Sequence, residues 1–291
     1  MKQPVHSNNQ AVQKLLQDLQ NDNWNIRANA VFALKNYDIP QVTDALLQTL
    51  EDVNENVWLS AVNVLKEKKD PRLVKPLVKT LLEDTRDELR WHAAYVLGEM
   101  GDKNVFDDLV RAMHDPCEEV RVDIARALGK LGNVKAVDYL TQMLDDESPR
   151  VRKEAISSLN ALSPAKSSDA LFKSLQDGDK RVRSLAAILV GKIGKKDAIS
   201  HLVKMLHDPD PVVRVSAIYA LDRIGSPTVV DPLIRCLQDS YWEVRSDAAT
   251  ALGKLGDNRA IVPLLDTLQD ESGFVRHSVI KALEKFNIFK K

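Results

Sequence analysis

The chain has 291 residues, 44% of them hydrophobic, and 41 Lys+Arg against 42 Asp+Glu leave a net charge of −1. That balance excludes bulk electrostatic attraction to nucleic acid or an acidic membrane surface. No apolar run approaches the ~18 residues a membrane helix needs, and the polar start MKQPVHSNNQ holds no signal-peptide core, so a cytoplasmic protein is expected.

The sequence repeats itself. DPCEEVRVDIARALGKLG (115–132) returns as DGDKRVRSLAAILVGKIG (177–194), DPDPVVRVSAIYALDRIG (208–225) and DSYWEVRSDAATALGKLG (239–256). One anchor position runs through Arg27, Trp58, Arg90, Arg121, Arg152, Arg183, Arg214, Arg245 and Arg276, at intervals of 31 residues, with 32 between Trp58 and Arg90. Nine units then fill residues 1–291 as one continuous stack, with no linker or second domain left over. Cys117 and Cys236 fall four units apart, beyond disulfide reach.

The stack opens on a polar helix carrying Gln10, Gln13, Lys14, Gln17 and Gln20, which suits an end cap. Each unit reads as a short first helix and a longer second one. Pro76, Pro232 and Pro263 sit early in first helices, where a missing N–H costs little. Six residues before the anchor stands an aspartate, Asp52, Asp84, Asp115, Asp146, Asp177, Asp208, Asp239 or Asp270, with Asn21 in the first unit. Four before it, Asn23, Asn54, Ser148, Asp179, Asp210 and Ser272 are cap types, so the second helix starts there. Eleven past the anchor, Gly101, Gly132, Gly194, Gly225 and Gly256 stop it. At 100° per residue, positions −1, +3, +4, +6, +7 and +10 form one apolar arc: Val244, Ala248, Ala249, Ala251, Leu252 and Leu255 in the eighth unit. The anchor arginine points into that arc and needs a partner; the recurring aspartate, from a neighbouring repeat, predicts a structural Asp–Arg ladder. The first, second and fifth units depart from the rest, the second with Trp58 in place of the arginine and the fifth ending in NALSPAKSS without a glycine, so these three are candidate bends. At the far end Phe286, Ile288 and Phe289 are expected to pack.

The period, the helix pair and the pattern D-x-x-x-x-V-R-x-x-A-A-x-A-L-G-x-x-G resemble HEAT repeats, and more narrowly the HEAT-like repeats named after phycobilisome lyases. The resemblance covers about residues 10–287. It implies an all-α fold, an α-α superhelix (HEAT-like solenoid) of about nine two-helix repeats, with second helices lining a concave inner surface. Lyase members of that family attach or detach an open-chain tetrapyrrole, so a bilin is the alternative to having no cofactor. Deoxyhypusine hydroxylases are HEAT-repeat enzymes whose His-Glu pairs hold two irons. LRWHAAYVLGEMG (89–101) looks like such a stretch, but it carries Trp91-His92, and the chain has no His-Glu pair at all.

Function is sought on the face opposite the core arc, positions −3, −2, +1, +2 and +5. These hold Trp24, Phe32, Trp91, Tyr95, Tyr219, Trp242 and Phe274, 7 of the 15 aromatic residues, against roughly 2 from even placement, and exposed aromatics mark binding faces. His92 lies among them. Asp87, Glu88, Glu118, Glu119 and Asp123 make repeats three and four acidic there; Arg150, Lys153, Lys180 and Arg181 make five and six basic. The chain contains no CxxC, HExxH, GxSxG or GxxxxGK motif. Cys117 stands at a helix start, where a dipole lowers a thiol pKa, with two glutamates opposing it. A monomeric, non-enzymatic scaffold binding a protein partner on its concave face is expected, with nucleic acid a weaker partner.

Overall fold

Helix starts and stops fall at the same few positions in each repeat. The computed structural model describes residues 5–68, 70–163 and 168–288, and among them there is no strand. The helices are α1 (Val5–Asp18), α2 (Trp24–Leu34), α3 (Pro40–Gln48), α4 (Glu55–Glu67), α5 (Val74–Glu83), α6 (Asp87–Met100), α7 (Phe106–Arg111), α8 (Glu118–Leu131) and α9 (Ala136–Gln142). They continue as α10 (Pro149–Leu162), α11 (Ser168–Ser174), α12 (Lys180–Ile193), α13 (Ile199–Met205), α14 (Pro211–Ile224), α15 (Val230–Cys236), α16 (Trp242–Leu255), α17 (Ile261–Asp266) and α18 (Gly273–Lys285). None of these is long and apolar enough to cross a membrane.

Even-numbered helices are the second helices, each beginning three residues before its anchor. Asn23, Asn54, Ser148, Asp179 and Asp210 cap them by accepting a backbone N–H from two residues on. Ser272, expected to do the same, makes no cap bond. The five terminator glycines all take φ between 66° and 72°, a left-handed turn that a Cβ would strain. The fifth unit has Ser163 instead at the end of α10, and its next residues, 164–167, lie outside the described set. Of the expected core arc of α16, Val244, Ala248, Ala249, Ala251 and Leu252 are buried and Leu255 is half-buried. Phe286 is half-buried but Ile288 is exposed, against the expectation that it packs; Phe289 is outside the described residues.

The chain divides into two compact units, Met1–Asn133 and Val134–Lys291. Within each, second helices lie side by side more closely than first helices do.

The ladder is present, and its partner is the aspartate of the following repeat. Arg27 meets Asp52 and Arg90 meets Asp115 in the first unit; Arg152, Arg183, Arg214 and Arg245 meet Asp177, Asp208, Asp239 and Asp270 in the second. Each pairing is a two-bond fork of 2.6–3.0 Å. The third guanidinium nitrogen donates to the carbonyl six residues back, as Arg214 does to Asp208 O at 2.8 Å. The aspartate in turn accepts the backbone N–H two residues on, as Asp239 does from Tyr241 at 2.9 Å. One carboxylate thus fastens the previous repeat and orders the turn into its own second helix. Such planar bidentate geometry suits Arg and not Lys.

Trp58 breaks the series, and the structure repairs it from the next repeat. Trp58 is fully buried and carries no charge. Arg86, at a position where other repeats place a cap residue, folds back on Asp84 at 2.9 and 2.8 Å and donates to Val53 O at 3.1 Å. Elsewhere the anchor arginine reaches the equivalent carbonyl, as Arg152 does Glu147 O. The guanidinium is kept, but it comes from the following repeat rather than from the anchor.

A second spacing rule sits eight residues past the anchor. A Cβ on Gly98 would come within 2.8 Å of Ala127 Cβ; on Gly191, within 2.6 Å of Ala220 Cα; on Gly253, within 2.6 Å of Ala282 Cα. The pairs α6–α8, α12–α14 and α16–α18 are accordingly the closest among second helices. Lys66 holds this position on α4, and α4 stands further from α6.

Stability should respond to both devices. Gly191→Val overpacks backbone against backbone and should lower unfolding free energy by about 2–3 kcal/mol. Asn160→Ala, at the same position in the fifth repeat, should stay within ~0.5 kcal/mol of wild type or gain through helix propensity; urea titration of both variants checks this. The ladder should make stability depend on pH. Arg245 and the Ser272 N–H hold the Asp270 carboxyl below its ordinary value, against burial. A depressed carboxylate stabilises above its unfolded pKa of ~3.9 and loses that contribution as pH falls through the folded value. The urea midpoint should therefore hold from neutrality to about pH 4 and drop below it, with a shallower acid drop in Asp270→Asn.

Candidate interaction face

In the first unit the aromatic positions fall into two kinds. Trp24 opens α2 and Phe32 lies two turns along it; both are exposed, Phe32 at 68%. The Lys35 ammonium stands 5.9 Å from the Phe32 ring. Tyr95 on α6 is exposed beneath the Lys66 ammonium, 5.2 Å from its centroid. Trp91 and His92 are half-buried. Their rings stack at 3.6 Å, His92 Nδ1 lies 2.7 Å from Glu88 O and bonds to it, and Trp58 meets His92 edge-on at 6.4 Å. The buried tryptophan that replaced an anchor arginine thus has its own aromatic surroundings, and Trp91 and His92 form part of them.

In the second unit Tyr219 is exposed, with the Arg223 guanidinium 5.9 Å from its ring. Trp242 and Phe274 start consecutive second helices. Their rings stack at 4.9 Å and both stay exposed, Phe274 at 70%. Two further exposed side chains belong beside them. Tyr241 precedes Trp242 and covers the Arg214 guanidinium at 5.4 Å. Val212, in the first turn of α14, is 58% exposed. Sequence reasoning passes over Tyr241 because its position reads only as a cap, and over Val212 because it is not aromatic.

Charge on these faces is largely compensated locally. Asp87 accepts from Arg90 at 2.6 Å, and Asp123 is buried and paired with Arg126. Lys180 pairs with Asp210 and Arg181 with Asp179, each at 2.8 Å; the Arg181 bonds pull the Asp179 carboxyl down to about 2. Exposed pairs of this kind contribute little.

The remaining reactive groups are quiet. Burial pushes the Cys117 thiol up, and its Sγ–H is directed at Glu119 Oε2, 3.3 Å away. Burial pushes Cys236 to about 11. Among the described residues no three His, Cys, Asp or Glu side chains gather as a metal-holding group. Grooves of about 700 Å³ beside α3 and α5, and of about 590 Å³ beside α11 and α13, lie among first helices; Phe172 and His201 stack at 5.2 Å in the latter. The thiols should react slowly with iodoacetamide at pH 7, Cys117 speeding up in Glu119→Gln, as intact-mass kinetics would record.

The family follows from these repeats. A model of HEAT repeats matches residues 12–90, 74–160, 140–222 and 199–284, and the chain belongs to the HEAT-repeat family. The fold is that of an α-α solenoid. Among solved structures it is similar to the YibA protein of Escherichia coli, at 23% identity and TM-score 0.60, over 89% of this chain and 96% of that one. It is also similar to Kap95p in a structure with RanGDP, at 15% identity and TM-score 0.71, over 95% of this chain and 46% of Kap95p. An engineered protein aligns at 21% identity and TM-score 0.52, over 95% and 88%. These likenesses establish the fold alone. No curated protein matches the chain.

Proposed function

We propose that the protein is a non-enzymatic scaffold that docks a protein partner on the exposed aromatic face of its second helices. The observation that carries this reading is the Trp242–Phe274 stack, two large rings left in solvent at the starts of adjacent helices. Core positions were available to both chain segments, and each fills them with small or aliphatic residues, Val244 and Ala248 or Val275 and Val279. Solvated aromatic surface of this kind is what interface anchors consist of. Phe32 and Tyr95 offer a comparable surface in the first unit. Trp91 and His92 are weaker candidates, because their packing around Trp58 already uses them. HEAT solenoids commonly work as interaction scaffolds; Kap95p, with RanGDP, is an instance among the similar structures. The phycobilisome-lyase subfamily and a bilin ligand are the alternative, resting on the same aromatic surface.

The test is capture from the native source by the full chain, comparing wild type with Trp242→Ala/Phe274→Ala and with Phe32→Ala/Tyr95→Ala. Each double variant should melt within a few degrees of wild type, since all four side chains are exposed. A protein retained by wild type and lost with one variant supports the scaffold reading and tells which unit carries it. Identical eluates overturn it. A visible absorbance band on protein co-expressed with bilin synthesis would favour the alternative.

A further inference from the structure

The first turns of α12, α14, α16 and α18 form one edge of the second unit, joined by contacts between successive repeats. Lys180 reaches Asp210 at 2.8 Å, the Arg214 guanidinium lies under Tyr241 at 5.4 Å, and Trp242 stacks on Phe274 at 4.9 Å. From one end to the other this edge presents Lys180 and Arg181, then Val212, then Tyr241, Trp242 and Glu243, then Phe274, all exposed at their side chains, so its cations lie at one end and a carboxylate lies at the aromatic end. We infer that the edge binds an extended peptide segment of the partner, acidic at one end, with apolar residues spaced three apart. This rests on the scaffold reading and specifies what the partner presents.

Spacing is the first argument. Packed helices lie about 8–10 Å apart, so Val212 and the stacked Trp242–Phe274 pair, whose rings lean together to 4.9 Å, make two apolar contacts on successive steps of the edge. A polyproline-II chain rises 3.1 Å per residue with three residues per turn, so every third side chain falls on one side about 9.3 Å further on. Apolar residues at i and i+3 therefore meet Val212 and the Trp242–Phe274 pair in register, the two stacked rings acting as one contact. A helical ligand rises 1.5 Å per residue and would match only every seventh residue. It would also bring an apolar stripe far broader than this single row.

Hydrogen bonding is the second. Asp179 and Asp210 cap α12 and α14, but Tyr241 and Ser272 make no side-chain cap bond at α16 and α18. The first N–H groups of these two helices, beside Trp242 and Phe274, are left for carbonyls of an extended backbone, which satisfies none of its own.

Charge fixes the acidic end. In the sixth repeat Lys180 and Arg181 occupy the two positions held in the next three by Pro211 and Val212, Trp242 and Glu243, and Gly273 and Phe274. Their present partners, Asp210 and Asp179, hold them in pairs where both cations stay about 60% exposed (60% and 58%). A carboxylate three residues before the first apolar residue can share those cations, and four aligned helix starts add positive potential along the edge.

The test uses the full chain and a fluorescein-labelled peptide, Glu-Glu-Pro-Leu-Ala-Pro-Leu-Ala-Pro-Leu, followed by anisotropy. Saturable binding is expected, weakened about ten-fold or more by Trp242→Ala/Phe274→Ala, by Lys180→Glu/Arg181→Glu, and by moving the central leucine one place along the peptide. A Lys-Lys version should bind at least about ten-fold more weakly, and less so at high salt. No saturable binding, equal binding of the acidic and basic peptides, or indifference to the leucine register overturns the inference. If partner capture depends on Trp242 and Phe274 while the peptide does not bind, the scaffold reading stands and the peptide inference falls. If the peptide binds in register while capture is unaffected by those residues, the reverse holds.

Discussion

A forked ion pair between one repeat's arginine and the next repeat's aspartate is the constraint on which each unit depends. Both partners are mostly shielded from water, as with Arg245 and Asp270, so each would be costly alone and neither is left alone. The fork also reaches two backbone carbonyls behind it and one backbone N–H ahead of it. A contact between repeats and the turn that starts a helix are therefore the same set of bonds. This couples neighbours in sequence more tightly than burial of small alanines would. It also explains why the pairing tolerates so little variation in residue type while the exposed positions vary freely.

The repair at Trp58 shows which part of that arrangement is indispensable. The anchor position itself can change, since a tryptophan fills its volume and is buried there. What persists is a guanidinium on Asp84 and on a carbonyl of the preceding repeat, delivered by Arg86. The cost is local: α6 starts on Arg86 without a side-chain cap. The gain is an aromatic pocket of Trp58, Trp91 and His92 in place of a charged pair.

Much of this is legible in the residues. The 31-residue period, the cap types, the glycine stops and the arginine–aspartate relation are periodic, and periodicity makes a weak local signal strong. Features confined to one repeat are not legible. Arg86 reads as a missing cap, because its role depends on Trp58 in the repeat before. Trp91 and Tyr95 look alike in the helical wheel, yet only Trp91 has a neighbour, His92, that draws it inward. Gly191 and Gly253 lie outside the expected core arc, because that arc is drawn toward the first helices, whereas these glycines face the next second helix. The site is legible as a set of aromatic positions and not as an edge, since the edge is made by helix starts brought side by side.

The glycine contacts have a geometric consequence for the second unit. Gly191 meets Ala220 with only the alanine methyl group at the contact, so a second methyl group, on residue 191, acts as a wedge. Opening a joint about 10 Å wide by ~1 Å tilts the later repeats by roughly 6°. Two repeats on, at about 20 Å, that tilt becomes a displacement of about 2 Å. Trp242 and Phe274 lie beyond the joint, Lys180 and Arg181 before it. The distance between the charged and aromatic ends of the edge is thus set by a lever whose fulcrum is one backbone contact, far from either end.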